Sequence, residues 1–187
     1  MGMIIVLVAV GVFIFYVIAK YNGLITLRNQ VTNGWNQIDV QLKRRHYLIP
    51  NLVNTVKGYM QFEQDTLRQV IEARNAAVSA KGIADSAAKE GELSGTLTKL
   101  FALMENYPTL KANENVKQLQ EELTSTENKV SFARQFYNDI ATKFNIAQQV
   151  FPANMIASMF NFKPSELFQI SSASERDVPS VDLSLKK

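Results

Sequence analysis

Charged side chains are absent from the first nineteen residues, and the run from Met3 to Ala19 contains no strongly polar side chain. At 1.5 Å per residue, a helix of this length spans about 26 Å, the short end of what a bilayer core requires. The run therefore predicts a transmembrane anchor over residues 1–20. A cleaved signal peptide is the alternative, because Val17 and Ala19 suit the small-residue positions of a cleavage site.

The cations nearest to this run all follow it. No Lys or Arg precedes it, whereas Lys20 and Arg28 come soon after it. A signal peptide would instead carry positive charge ahead of its apolar run. By the positive-inside rule, the pattern places the N-terminus outside and the helical domain in the cytoplasm. We therefore expect a single-pass protein of the cell inner membrane in this orientation.

After the anchor, apolar residues recur at steps of three and four, which predicts one buried helix face. This stripe comprises Leu24, Leu27, Val31, Trp35, Ile38, Leu42, Ile49, Leu52, Val56, Tyr59, Leu67 and Val70. Pro50 does not shift the stripe, so we expect a helix that is kinked at Pro50 but continuous. The carbonyl of His46 loses its amide partner there. Together with the anchor, the pattern predicts one helix of roughly eighty residues that rises out of the membrane and ends at about Ala80.

Residues 79–96 lose the stripe and gain glycines and small side chains, which indicates a mobile connection or a frayed helix end. A short amphipathic helix follows and should stop at Pro108. Its apolar positions are Leu93, Leu97, Leu100, Met104 and Tyr107.

A second long helix should begin where Asn113 or Asn115 can cap it. Its stripe is Val116, Leu119, Leu123, Thr126, Val130, Ala133, Tyr137, Ile140, Phe144, Ala147 and Phe151. Strict alternation of three and four is typical of coiled-coil-like packing. Two long helices joined by a compact connector should fold back antiparallel, so this helix returns to the membrane and ends at Pro152.

The predicted fold is therefore all-α: an N-terminal transmembrane helix that continues into an elongated antiparallel helical bundle. Two long helices dominate the bundle, with short connecting and C-terminal helices, and the bundle covers residues 21–170. Residues 171–187 are small, polar and proline-containing, so we expect a disordered tail.

The composition argues against most chemistry. The chain has no cysteine and one histidine, which excludes disulfides, thiolate nucleophiles and paired-histidine metal motifs. A net charge of +3 is weak support for nucleic-acid binding. The sequence contains no phosphate-binding glycine loop, nucleophile elbow or zinc-protease motif. We predict a protein that is not an enzyme and needs no cofactor or metal.

Several motifs resemble the LemA family. They are WNQIDVQLKRRHYLIPNLVNTVKGY at 35–59, YPTLKANENV at 107–116, TENKVSFARQFYND at 126–139 and FPANMIASMFNFKP at 151–164. The resemblance implies a bacterial membrane protein with one N-terminal transmembrane helix and a helical bundle, but it implies no reaction. This sequence departs from the family pattern at Gly34, where alanine is usual, and at Tyr47, where aspartate is usual. The second departure removes a carboxylate beside the cations at 43–45.

The segment QLKRRHYLIPNLV at 41–53 is the first candidate site. The stripe places Arg45 inward, and it places Lys43, Arg44 and His46 on solvated faces. The candidate partner-binding residues are Lys43, Arg44, His46, Asn51 and Lys57. A lipid-headgroup patch is an alternative, but Lys43 stands roughly 35 Å beyond Ala19 in a straight helix, several Debye lengths from the bilayer.

Polar residues at stripe positions form the second candidate. A buried charge needs a partner, and Arg45 and Glu63 lie too far apart on one helix to pair. If residue 74 lies opposite 116, Arg45 falls beside Asn145, and Glu63 falls near Lys129 or Asn128. We predict a structural polar seam that fixes the register, formed by Arg45, Glu63, Asn128 and Asn145.

The third candidate is an apolar surface at the membrane-proximal end, formed by Phe151, Met155, Ile156, Met159, Phe160 and Phe162. It could close the bottom of the bundle, or it could serve as an interfacial or self-association surface.

Together these features favour a membrane-anchored, non-enzymatic scaffold of the bacterial envelope that binds protein partners or itself through helix faces. One alternative is an accessory factor to a membrane protease or envelope-stress system. Another is a bundle that binds a small ligand or lipid. An apolar stripe left exposed after packing would favour the scaffold, whereas a concave pocket lined by Asn and Arg would favour ligand binding.

Overall fold

The computed structural model describes residues 1–60 and 62–169, and these ranges contain six helices and no strand. The helices are α1 (Gly2–Val56), α2 (Gln64–Ser79), α3 (Gly82–Met104), α4 (Pro108–Lys111), α5 (Glu114–Gln149) and α6 (Ala153–Met159). The all-α prediction is confirmed. The predicted tail, 171–187, lies outside the described residues.

The N-terminal part of α1 projects from the bundle. Residues 1–15 are exposed, and α1 is the one helix in the described part of the chain that is long and apolar enough to cross a membrane. The first buried residue is Leu24. One continuous helix thus joins the predicted anchor to the bundle.

The predicted end of this long helix is wrong: α1 ends at Val56, not near Ala80. The chain turns after Val56, whose carbonyl accepts from the amides of Tyr59 and Met60 at 2.9 and 3.0 Å. Met60 then enters the core and is fully buried. The apolar stripe continues across this turn because α1 and α2 bury their side chains in the same core.

The predicted connection at 79–96 is also wrong, because α3 begins at Gly82. Gly82 has φ +80°, a conformation that glycine adopts without steric cost, so a very short turn can join α2 to α3. The buried positions early in α3 are Ala87 and Glu90. A small residue and a charged one do not read as an apolar stripe.

The antiparallel pairing of α1 with α5 follows the prediction, and Asn113 caps α5 by accepting from the amides of Asn115 and Val116. The predicted register is wrong. Arg45 contacts Glu127, eighteen positions before Asn145, because α1 turns well before residue 74. The closest approach is at Gly34, where an added Cβ would lie 3.4 Å from the Cα of Tyr137.

After α6, the segment 162–169 runs without helix along α5. Two α5 asparagines hold it through paired hydrogen bonds: Asn145 with the backbone of Ser165, and Asn138 with that of Phe168, all between 2.8 and 3.1 Å. The Tyr137 hydroxyl donates to the Glu166 carbonyl at 2.6 Å. Burial, and to a lesser extent the Glu166 carboxylate, raise the pKa of Tyr137.

Candidate functional site

A charged cluster lies buried where α1, α3 and α5 meet. The guanidinium of Arg45 donates to Glu90 Oε2 at 3.0 Å and to Ser94 Oγ at 2.8 Å, and it pairs with Glu127 Oε2 at 3.1 Å. The Arg45 and Glu90 side chains are 2% and 4% exposed, whereas Glu127 is 44% exposed. The inner charges are thus compensated from both neighbouring helices.

His46 belongs to the same cluster, so its predicted place on a solvated face is wrong. Its Nε2 lies 2.6 Å from Glu90 Oε1, and the residue is 9% exposed. Adjacent positions 45 and 46 are both buried because α1 is covered on more than one side. Each oxygen of Glu90 therefore holds one residue of α1, which makes Glu90 the centre of the cluster.

Sequence reasoning missed Glu90, Ser94 and Glu127. Glu90 and Ser94 lie in the segment 79–96, where glycines and small side chains led us to predict a connection. Glu127 lies opposite Arg45 in the observed register but not in the predicted one. The available signal was Arg45 itself, since a cation on a buried stripe requires a carboxylate from another helix.

Pro50 lies inside α1, and the helix continues through it to Val56. The carbonyl of His46, which cannot receive an amide from Pro50, accepts instead from the Nε of Arg74 on α2 at 3.1 Å. A side chain thus replaces the missing backbone hydrogen bond, and it ties α2 to the turn of α1 that carries the charged cluster.

We expect Arg74→Leu to lower the free energy of unfolding by about 1–3 kcal/mol, because it leaves a partly buried carbonyl unpaired. In a Pro50→Ala background the restored amide can bond to His46, so the same change should cost clearly less. Urea unfolding of all four chains measures this coupling. Equal costs in both backgrounds would show that Arg74 acts elsewhere.

The other predicted partner-binding residues, Lys43, Arg44, Asn51 and Lys57, are exposed, and their role stays a prediction. Lys43 pairs with Asp39 at 2.6 Å and Arg44 with Glu122 at 3.4 Å. The hydrogen bond that Lys43 donates to the Asp39 carboxylate, together with the negative charge of that carboxylate, raises the pKa of Lys43. These carboxylates reduce the positive charge that the surface offers to an anionic partner.

The remaining seam residues do not meet Arg45. Glu63 lies in the turn before α2, where the Tyr107 hydroxyl donates to it at 3.5 Å. Asn128 is exposed on α5, and Asn145 binds the C-terminal segment. The predicted contacts of Arg45 with Asn145 and of Glu63 with residues 128 and 129 are therefore wrong, both because of the register error.

Two openings flank the charged cluster. A cavity of about 180 Å³ is lined by Arg45, Ser94 and Glu127 together with apolar residues of α3. A second opening of about 360 Å³ is lined by Trp35, Asp39, Lys43, His46, Gly82, Ser86 and Glu90, among others. The cluster therefore separates two concave surfaces.

An exposed apolar face lies across the α1–α5 pair. Val40, Phe132 and Phe136, which we call the α1–α5 face, are 60%, 70% and 46% exposed. They line one groove with Asn36, Gln37, Gln41, Lys129 and Ala133. The described part of the chain leaves this face open to solvent.

The predicted membrane-proximal surface is divided. Ile156 is 6% exposed and packs in the core, and Phe162 is partly buried in the same cluster. Phe151, Met155, Met159 and Phe160 are exposed. Ile156 and Phe162 thus close the bottom of the bundle, and the other four residues remain available.

Within residues 1–60 and 62–169, no group of three or more His, Asp or Glu side chains is placed to hold a metal ion.

Comparisons with known proteins identify one family and several relatives. A model of the LemA family matches residues 34–183. The chain is 26% identical to Protein LemA of Metamycoplasma hominis, over 95% of this chain and 81% of that protein. It is 25% identical to Magnetosome protein MamQ 2 of Paramagnetospirillum magneticum, over 94% and 74% of the two chains. It is 22% identical to Magnetosome protein MamQ of Magnetospirillum gryphiswaldense, over 89% and 71%.

Proposed function

The chain belongs to the LemA family, and from that premise we propose that it is a membrane-anchored, non-enzymatic scaffold. Residues 1–20 anchor it in the inner membrane, with the N-terminus outside and the helical domain in the cytoplasm. The domain binds a helical protein surface through the α1–α5 face, and its first partner is a second copy of the chain.

The observation that carries the proposal is the exposed α1–α5 face. Single exposed apolar residues are normal on a protein surface, but Val40, Phe132 and Phe136 line one groove that crosses two helices. Polar side chains such as Asn36, Gln37 and Gln41 rim the groove. An apolar centre with a polar rim is the usual anatomy of a protein interface.

A second copy suits this face for a geometric reason. Copies anchored in one membrane by the same helix share one orientation and one height. A two-fold axis along the membrane normal can then bring the same face of each copy together, as in most homodimers. Lys129 is the charged residue among those that line the groove, so charge repulsion between copies would be small.

The proposal predicts that Phe132→Ser weakens self-association of the full chain in lipid vesicles by at least about tenfold, since burying one Phe contributes roughly 1.5–3 kcal/mol. The free energy of unfolding of the monomer should change by less than about 0.5 kcal/mol, because the Phe132 side chain is exposed. Chemical crosslinking at several protein-to-lipid ratios measures the association.

Ile146→Ser is the matched control: Ile146 is 54% exposed on the same helix but does not line the groove. It should leave self-association unchanged. Equal dimer formation by the Phe132→Ser and unaltered chains would contradict self-association through this face. If a different protein co-purifies with the unaltered chain and with Ile146→Ser but not with Phe132→Ser, the scaffold role stands and that protein replaces the second copy as its partner.

A small-ligand bundle is the second candidate, favoured by the 360 Å³ opening beside Trp35 and His46. This volume falls within the usual range for ligand sites, about 300–1,000 Å³. Its polar side chains are largely engaged already, since Asp39 pairs with Lys43 and His46 with Glu90. The scaffold is therefore the better supported function.

A further inference from the structure

The foot of the bundle carries an apolar surface that the described residues leave uncovered. Phe151, Met155 and Met159 recur at steps of four along α6 and the residues before it, and Phe160 adjoins them. Their exposed fractions are 80%, 63%, 75% and 49%, and we call these four residues the foot surface. On its opposite side α6 buries Ala153, Ile156 and Ala157 against the core. The helix is thus apolar toward the bundle, and away from the bundle it exposes Met155 and Met159 beside Asn154 and Ser158.

Aromatic contacts fix the height of the foot surface along α1. The ring of Phe160 lies 4.6 Å from that of Tyr21, centroid to centroid, and Phe162 lies 5.9 Å from the same ring. Tyr16 and Val17 also pack against the hydrophobic core cluster that contains Ile156. The apolar run of α1 ends at Ala19, and tyrosines favour the headgroup zone of a bilayer. The foot surface therefore lies level with the membrane boundary of the anchor.

Among the described residues, the charged side chains nearest to the foot surface are cations. Residues 1–38 and 140–165 contain Lys20, Arg28, Lys143 and Lys163, and the nearest acidic residues along the chain are Asp39, Asp139 and Glu166. A cytoplasmic leaflet with anionic lipids attracts such cations. An apolar patch surrounded by cations, at the height of the headgroups, has the chemistry of an interfacial membrane contact.

We propose that the foot surface inserts into the interfacial region of the same bilayer that α1 crosses. The inference rests on the proposed anchor and adds a second point of attachment. Two attachments prevent the bundle from swinging about residue 20. The α1–α5 face is then held at a constant angle to the membrane, which favours side-by-side contact between copies.

Single-cysteine labelling tests the proposal directly, because the native sequence has no cysteine. The full chain is reconstituted in phosphatidylcholine–phosphatidylglycerol vesicles with an environment-sensitive fluorophore at Met155→Cys or Met159→Cys. Phe13→Cys reports on the anchor. Phe62→Cys is the matched control, since this aromatic residue is 95% exposed in the turn at the opposite end of the bundle. Doxyl-labelled lipids quench from the bilayer, and iodide quenches from water.

We expect the labels at 155 and 159 to be quenched by doxyl lipid and shielded from iodide, and the label at 62 to behave in the opposite way. If the labels at 155 and 159 match the one at 62 while the label at 13 is lipid-quenched, the foot contact is overturned and the anchor stands. Failure of lipid quenching at 13 would overturn the anchor itself. Shielding at 155 and 159 that disappears on dilution with lipid would assign the surface to a second copy and also overturn the proposal.

Discussion

Replacing Glu90 with leucine is expected to lower the free energy of unfolding by about 3–5 kcal/mol, because the change leaves the buried Arg45 without its buried carboxylate partner. In the native fold Glu90 contacts both Arg45 and His46, at 3.0 and 2.6 Å. Without it, Arg45 keeps one carboxylate, the half-exposed Glu127. Urea unfolding of the full chain in detergent micelles, followed by circular dichroism, measures the loss.

The double variant Arg45→Met with Glu90→Leu tests whether the two residues stabilise the fold as a mutually compensating ion pair. A buried ion pair replaced on both sides by apolar residues often costs little, so the double variant should recover most of the lost stability. As a control, Glu122→Gln removes the exposed partner of Arg44 and should cost at most about 1 kcal/mol.

Partner binding by the same variants decides what the cluster is for. If the cluster only sets register and stability, the double variant should still self-associate. A stable double variant that has lost its partner would instead make the charged cluster a docking site. An additive loss in the double variant would show that Arg45 and Glu90 do not act as a pair.

Phe144→Ala is expected to cost about 3–5 kcal/mol, the usual range for emptying a large aromatic site in a core. Phe144 is 1% exposed, and its ring centroid lies 6.3 Å from that of Phe162. The variant therefore loosens both α5 and the C-terminal segment that packs below it. The same unfolding assay provides the measurement.

Phe136→Ala supplies the matched control, since Phe136 lies about two turns away on the same helix but is 46% exposed. It should cost less than about 1 kcal/mol in stability and should weaken self-association. If the two variants were equally destabilised, Phe136 would be a core residue, and the α1–α5 face would lose its functional meaning.

The long helix α5 was predictable because its signals agree with one another. Its stripe alternates strictly, Asn113 provides a cap and Pro152 follows its end. The turn after Val56 was not predictable from the stripe, since α1 and α2 share one core and their apolar positions continue in phase. Gly58 was the local sign of a break, and an isolated glycine is also tolerated inside helices.

The charged cluster was half predictable. The stripe placed Arg45 inward, and the structure finds its side chain 2% exposed. Its partner Glu90 could not be predicted. A glutamate among alanines and glycines is typical of a solvent-exposed helix face, and only the position of α3 in the fold shows that Glu90 is buried. Burial of His46 depends on α3 as well, so it could not follow from α1 alone.

The scaffold proposal is tested most directly by photo-crosslinking in cells. A photoreactive phenylalanine derivative replaces Phe132 in the full chain, and the same derivative at position 146 serves as the control. We predict a strong protein adduct from position 132, with the mass of two copies of the chain, and little adduct from position 146. Adducts from position 132 that contain only lipid or metabolite, with no protein neighbour, would contradict the scaffold.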